Sequence, residues 1–381
     1  MDIDQRGTAV PSIECFVNTG LRKIPIHEEA PGRSISLEKL PGETSMTYGQ
    51  YLDSLARLLS DNSFEVLRNI FVKLPAPAPR LEEASSIELT AEKHGALYSV
   101  SRLRVRFGAE ARQFAVNCAF SPRQQAFLQI EADLLAELTE RFPLGFLPSP
   151  LVCAQAPGLK LFIAEWFENH HEFHLSANGE AEPVVKVWGD CGERKIIERE
   201  KIPELYAGAA NILTSYLDVD SFCQIYPWHH AAGDFILDAA KEPPSLRLVT
   251  ARGYRSLLSI ESDRPDKMLG GLHFFVNLCI RLRLDRLDGV GEPAWAGPEC
   301  LPGIIRGFSQ AWETRRKTVA LPEAEEIFSL FQALSPEERL EFAQTVASDG
   351  MVEADEDDFL SARIFSCMAE LANALEGREK T

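Results

Sequence analysis

The densest chemistry in the chain lies in Ile225-Tyr-Pro-Trp-His-His-Ala-Ala-Gly-Asp-Phe-Ile-Leu237. Two adjacent histidines, His229 and His230, follow Trp228, and an Ala-Ala-Gly turn leads to Asp234. Imidazole titrates near neutrality, so either histidine is a candidate general base or phosphate contact. A carboxylate such as Asp234 is a natural Mg²⁺ ligand. The plainer alternative has the histidines and Asp234 bonding one another and the loop backbone, fixing a tight turn. A second cluster holds His170, His171 and His174. Joined to the first, it offers the imidazoles for a transition-metal site. His171-Glu-Phe-His174 is one residue short of the zinc-protease spacing, and His170 and His174 share a face only if the segment is helical. There is no Gly-x-Ser-x-Gly elbow and no cysteine beside a histidine, so nucleophilic hydrolysis has little support.

These residues need elements to hold them. Phe235-Ile-Leu237 and Leu246-Arg-Leu-Val-Thr250 predict a hairpin-like strand pair directly after the histidine loop. Residues 203–217 predict a helix before the loop, with Pro203 in the first turn. An apolar helix over 267–287 and another over 304–312 follow. Upstream, Leu97–Phe107 alternates apolar and polar residues, and Gln113–Phe120 makes a second strand. Phe127, Ile130, Leu134, Leu135 and Leu138 share a helix face, and strands are expected at 151–153 and 159–167. The stretch 87–167 therefore reads β-β-α-β-β, and residues 184–188 add a short strand.

Around this centre the chain divides into four segments. Residues 1–80 form an extended arm, a helix pair over 47–73 that opens on Thr47-Tyr-Gly-Gln50, and a Pro-rich linker. Residues 81–168 form a small β lobe, and 169–320 a helical lobe carrying the histidine loop. Residues 321–381 are acidic and helical, with a helix start at Ser335-Pro-Glu-Glu338. The acidic run Ala354–Asp358 lacks the glycine and ligand spacing of a calcium loop and reads as a solvated loop or helix start. The fold class is α+β.

Composition narrows the function. A net charge of −18 argues against non-specific nucleic-acid binding, which needs clustered Lys and Arg. Arg102, Arg104 and Arg106 read as a solvated strand face, and Arg281, Arg283 and Arg286 as stems packed on the core with heads in water. The eight cysteines are scattered with no CxxC pair and read as reduced core residues. No apolar run reaches membrane-spanning length, and the N-terminus carries no signal-type segment, so the expected location is the cytoplasm.

A β lobe with one helix, a connection, then a helical lobe with a polar loop and a strand pair resembles the protein-kinase-like fold. The aminoglycoside phosphotransferase and choline-kinase type is the nearer comparison. The resemblance covers roughly 87–315 and rests on the order of elements. It implies a nucleotide, ATP with Mg²⁺, or another small molecule in an interlobe cleft. In that family the third strand carries a phosphate-binding lysine, and Asn117 in Phe114-Ala-Val-Asn-Cys118 stands in its place. Glu131 is similar in position to the glutamate that orients that lysine. Ile163-Ala-Glu165-Trp-Phe167 resembles the hinge that binds adenine through its backbone. The histidine loop is similar in shape to the catalytic loop, with Asp234 at its metal-binding asparagine and His229, or His230 in a shifted register, at its aspartate base. Thr250 stands at or near a magnesium-binding aspartate. Lysine, base and one metal ligand all differ. The resemblance thus implies a degenerate, pseudokinase-type binding or regulatory module, which could also engage a protein partner. The alternatives are an atypical phosphotransferase using His229 or His230 with Asp234 and Mg²⁺, and a histidine-based metal-binding protein.

Overall fold

Alternation along Ser99–Phe107 shows how the sheet of this α+β protein is built. Ser99, Ser101, Leu103 and Val105 are buried, while the arginines between them lie on the half-exposed face, where Arg102 and Arg106 pair with Glu92 and Glu88 at 2.7 and 3.2 Å. The computed structural model describes residues 10–20, 22–26, 46–94, 97–179, 183–189, 192–228, 233–258, 266–289, 291–350 and 354–378. They fall into two compact units. One takes the described residues within Met1–Thr139, Pro148–Glu168 and Asp190–Gly192, the other those within Glu140–Leu147, Asn169–Gly189 and Glu193–Thr381.

The first unit comprises β1 (Ile13–Asn18), β2 (Lys23–Pro25), α1 (Tyr48–Lys73), β3 (Ser86–His94), β4 (Ser99–Phe107), β5 (Glu110–Ala119), α2 (Pro122–Arg141), β6 (Pro150–Ala156) and β7 (Leu159–Glu165). Its sheet runs β2-β1-β3-β4-β5-β7-β6. Two expectations change here. The stretch before residue 45 is not only an arm, because β1 pairs with β3 in parallel and extends the sheet. Between residue 81 and α2 there are three strands rather than two, because β3 adds to the expected pair. The helix pair is present as one element broken at Asp61–Phe64, where Asn62, Ser63 and Phe64 have positive φ. Its predicted cap forms, with Thr47 and Gln50 bonding reciprocally. Tyr51, Leu55, Leu59, Leu67 and Ile70 of α1 share one core with Leu89, Leu103, Val116 and Ile163 of the sheet.

The second unit begins with β8 (His171–Ser176), β9 (Val184–Trp188) and β10 (Arg194–Ile196), then α3 (Ile202–Ser215), β11 (Cys223–Ile225), β12 (Phe235–Asp238), β13 (Ser245–Leu248) and β14 (Tyr254–Ser256). A sheet of order β10-β9-β8-β12-β13 and a separate β11-β14 pair result. The remainder is α4 (Lys267–Arg281), β15 (Leu284–Arg286), β16 (Pro293–Trp295), α5 (Leu301–Arg316), α6 (Ala324–Ala333), α7 (Pro336–Ser348), α8 (Ala354–Ser361) and α9 (Ile364–Arg378). Every residue of α4 from Gly270 to Arg281 is buried, as its apolar character requires. The Phe275 ring meets Phe308 and Phe328 at 5.0 and 4.9 Å. At Gly307 a Cβ would lie 2.1 Å from the Ala207 carbonyl oxygen, so only glycine lets α5 approach α3 this closely.

The basic residues at and just after the end of α4 depart from expectation. The Arg281 and Arg283 heads are buried, not in water. Arg281 donates to the Ala347 carbonyl oxygen at 3.0 Å, and Arg283 to the Ala296 carbonyl oxygen at 2.9 Å and Glu370 at 2.6 Å. Arg286 pairs at 3.2 Å with Glu356, a buried member of the acidic run that starts α8. A guanidinium leaves water here because carbonyls and carboxylates replace its hydration.

Candidate functional site

Two strand pairs of the second unit hold the ends of the polar loop. β11 pairs with β14 through Ile225 and Tyr254, and β12 pairs with β13 through Phe235 and Leu248. The link Val249–Gly253 passes from one pair to the other, and it carries Thr250 and Arg252. His229 and His230 lie outside the described residues, as do Ala231 and Ala232. Trp228 is buried and meets Phe235 edge-on at 5.7 Å. Apolar residues therefore anchor both sides of the loop.

Asp234 is the most enclosed of the predicted site residues that are described, with 1% of its surface exposed. Its carboxylate receives both arms of one guanidinium. Arg252 Nη1 donates to Oδ2 at 2.6 Å, and Nη2 donates to Oδ1 at 2.5 Å. The backbone is fixed as well, since Val249 N–H donates to the Asp234 carbonyl oxygen at 2.8 Å. A two-pronged contact of this kind sets orientation as well as charge. The plainer alternative paired Asp234 with the neighbouring histidines and the loop backbone, whereas the partner seen here is Arg252, eighteen residues along the chain.

Glu172 comes to the same place from β8. Register pairs Glu172 with Ile236 and His171 with Leu237. Gly233 has φ +68°, and a Cβ there would meet the Glu172 carboxylate carbon at 2.6 Å. The glycine therefore serves both the turn and the approach of an acid. His174 Nε2 stands 3.6 Å from Glu172 Oε2, and its ring packs on Trp188 at 4.6 Å. The second histidine cluster is extended, not helical, from His171 onward. A strand has period two, so His174 shares a face with Glu172 and not with His171. Among the described residues no group of three or more His, Cys, Asp or Glu is arranged to hold a metal ion.

The other predicted site residues divide between the units. Asn117 sits on β5, nearly buried, in register with Val100 of β4 and Phe162 of β7. Glu131 on α2 is 3% exposed and accepts from the Tyr98 hydroxyl at 2.9 Å. Glu165 ends β7 with an exposed side chain, and Trp166 beside it lies 5.3 Å from the Arg102 guanidinium. Thr250 is buried in the second unit, two residues before Arg252. In that unit the structure brings Asp234, Arg252, Gly233 and Glu172 together.

The Mg²⁺ implied by the kinase resemblance fits these residues poorly. Mg²⁺ needs near-octahedral oxygen ligands at short distance. Both oxygens of Asp234 already face a cation, and the Thr250 position supplies a neutral hydroxyl where an anionic ligand is expected. Sequence pattern does not single out Arg252 and Glu172. Glu172 lies inside the histidine cluster, where imidazole is the more conspicuous chemistry, and Arg252 is only the basic member of Thr250-Ala-Arg-Gly253.

Compared with known proteins, the sequence matches no family model and no curated protein. No helix among the described residues is long and apolar enough to cross a membrane.

Proposed function

We propose that the chain is a two-lobed kinase-like protein of degenerate, pseudokinase type, which binds nucleotide and acts as a binding or regulatory module. The observation that carries this reading is the Arg252 fork on buried Asp234. Phosphoryl transfer depends on a metal and nearby cations to neutralise the moving phosphoryl group. A carboxylate already engaged by a guanidinium is a poor metal ligand, and Asn117 supplies no charge where the family keeps lysine. The order of elements supports the kinase-like part. With β3 counted, Asn117 lies on the third of three consecutive antiparallel strands, and Glu131 lies on the helix that follows. The β12–β13 pair forms directly after the stretch that the resemblance aligns with the catalytic loop, which also supports this reading.

Nucleotide binding and transfer are separable. Thermal-shift titration with ATP should stabilise the protein, while labelled ATP should yield no transfer to the protein, to water or to amino- and hydroxyl-bearing small molecules. Turnover abolished by Asp234→Ala would overturn this reading in favour of an atypical phosphotransferase. Stabilisation by Zn²⁺ or Ni²⁺ lost in His170→Ala or His229→Ala would favour the metal-binding alternative.

A further inference from the structure

We propose that α7 carries a docking groove for a basic amphipathic helix of a protein partner. This surface shares no residue with the Asp234–Arg252 pair, so it can be tested whether or not the chain binds nucleotide.

The corner between α6 and α7 builds the groove. Leu334 ends α6, Ser335 caps α7, and Glu338, Glu341, Phe342 and Thr345 follow at the spacing of one helix face. Leu334 and those four residues line a shallow groove of about 280 Å³. Small-molecule sites run from roughly 300 to 1,000 Å³, so this one suits one or two side chains of a docked segment better than a cofactor. Its apolar part is Leu334 and the half-buried Phe342, whose ring meets His273 edge-on at 6.5 Å. Its acidic part is Glu338 and Glu341, both exposed.

Local bonds fix the charge that this face presents. Ser335 N–H donates to Glu338 Oε2 at 2.8 Å. That bond anchors the carboxylate at the helix start and holds its carboxyl below the ordinary range, so it stays ionised at neutral pH. Arg339 is the one cation in the sequence of α7, and it is turned to the end of α6. Its Nε donates to the Phe331 carbonyl oxygen at 3.1 Å and its Nη2 to the Gln332 carbonyl oxygen at 2.6 Å. The residue that could neutralise the acids is thus committed elsewhere. An apolar groove with an acidic border complements a segment that carries an apolar stripe beside Lys or Arg. A helix presents that pattern at i, i+3, i+4 and i+7. An acidic partner or an anionic lipid surface would meet like charge here.

The test is fluorescence anisotropy of the intact chain with two labelled, alanine-based helical peptides. One carries leucine at i and i+4 and lysine at i+3 and i+7; the other has glutamate in place of both lysines. Wild type is expected to bind the lysine peptide at least about tenfold more tightly than the glutamate peptide. Glu341→Lys reverses an exposed charge without disturbing the core and should remove that preference. Phe342→Ala, with its fold checked by circular dichroism, should weaken the lysine peptide by about tenfold. Because the whole chain carries a net charge of −18, general attraction needs its own control. Glu137→Lys makes the same charge change at an exposed position of α2 and should leave the affinity within about twofold of wild type. Hydrogen-exchange protection on binding should fall within residues 334–345. No binding of the lysine peptide, equal binding of the two peptides, or the same loss in Glu137→Lys as in Glu341→Lys would overturn the inference. Dimerisation of the free chain that Phe342→Ala abolishes would assign the groove to a second copy and overturn it as well.

Discussion

Two arginine–carboxylate pairs in the second unit are built as opposites. In Arg252–Asp234 the acid is buried, with 2% of its side chain exposed, and the arginine reaches out at 25%. In Arg283–Glu370 the arginine is buried at 2% and the acid reaches out at 34%. The buried guanidinium is shared, since Arg283 also donates to the Ala296 carbonyl oxygen and stacks over Trp295 at 4.8 Å. The buried carboxylate has both oxygens on one guanidinium. A guanidinium can spread its donors over carbonyls, acids and a ring face, so Arg283 works as a structural rivet. A carboxylate that takes both prongs of one guanidinium instead has its orientation set by that side chain. Such a pair suits a site whose charge must be held in one orientation.

This contrast predicts unequal costs. Removing the more exposed member of the first pair, Arg252→Ala, should destabilise the protein by about 3–5 kcal/mol, because it takes a two-pronged guanidinium away from a buried carboxylate. Removing the exposed member of the second, Glu370→Ala, should cost about 1.5–3 kcal/mol, the range for one charged hydrogen bond, because Arg283 keeps its carbonyl and ring contacts. Urea denaturation at neutral pH measures both, and equal costs would erase the distinction. Gly233→Ala should cost about 1–2 kcal/mol from its left-handed backbone alone. Pairing it with Glu172→Ala should recover the part due to the clash, which the same denaturation curves would show.

A third pair, His273 Nε2 with Asp349 Oδ2 at 3.1 Å, gives the smallest effect. Burial holds the imidazole below its ordinary 6.5, against the opposing pull of Asp349. The folded protein therefore keeps His273 neutral at a pH where the unfolded chain has already protonated it. Stability attributable to this residue is fully present above the unfolded value near 6.5 and declines as pH falls through it, levelling once the folded histidine also titrates. Melting temperature against pH should show that decline in wild type and lose it in His273→Gln, above the range where carboxylates titrate.

Local signals in the chain were readable where a short-range rule applied. The reciprocal caps at Thr47–Gln50 and Ser335–Glu338 form as their spacing dictates, and the strand pair after the loop forms where alternation placed it. What escaped depends on partners distant in sequence. Ile13–Asn18 pairs with β2 close by, but it joins the sheet because β3, some seventy residues on, offers an edge in parallel register. Ser-Ile-Glu-Leu-Thr-Ala-Glu-Lys-His alternates like a strand but is too polar to stand out until β1 and β4 flank it. Arg281 and Arg283 looked like snorkelling stems, and only the chain after α4 supplies the acceptors that let them stay inside. Asp234 was legible as a special residue, whereas its partner was not. No spacing rule links two side chains that meet because one strand pair feeds into another.

The central claim is that Arg252 and Asp234 act as one charged unit. A double-mutant cycle on the folded, ligand-free protein tests it most directly, using Asp234→Asn, Arg252→Ala and the two combined, each read by urea denaturation. Interdependence predicts that the double variant is more stable than the sum of the single losses implies, by about 2–3 kcal/mol. Losses that simply add, within about 0.5 kcal/mol, would mean that the two residues act separately and would contradict the account.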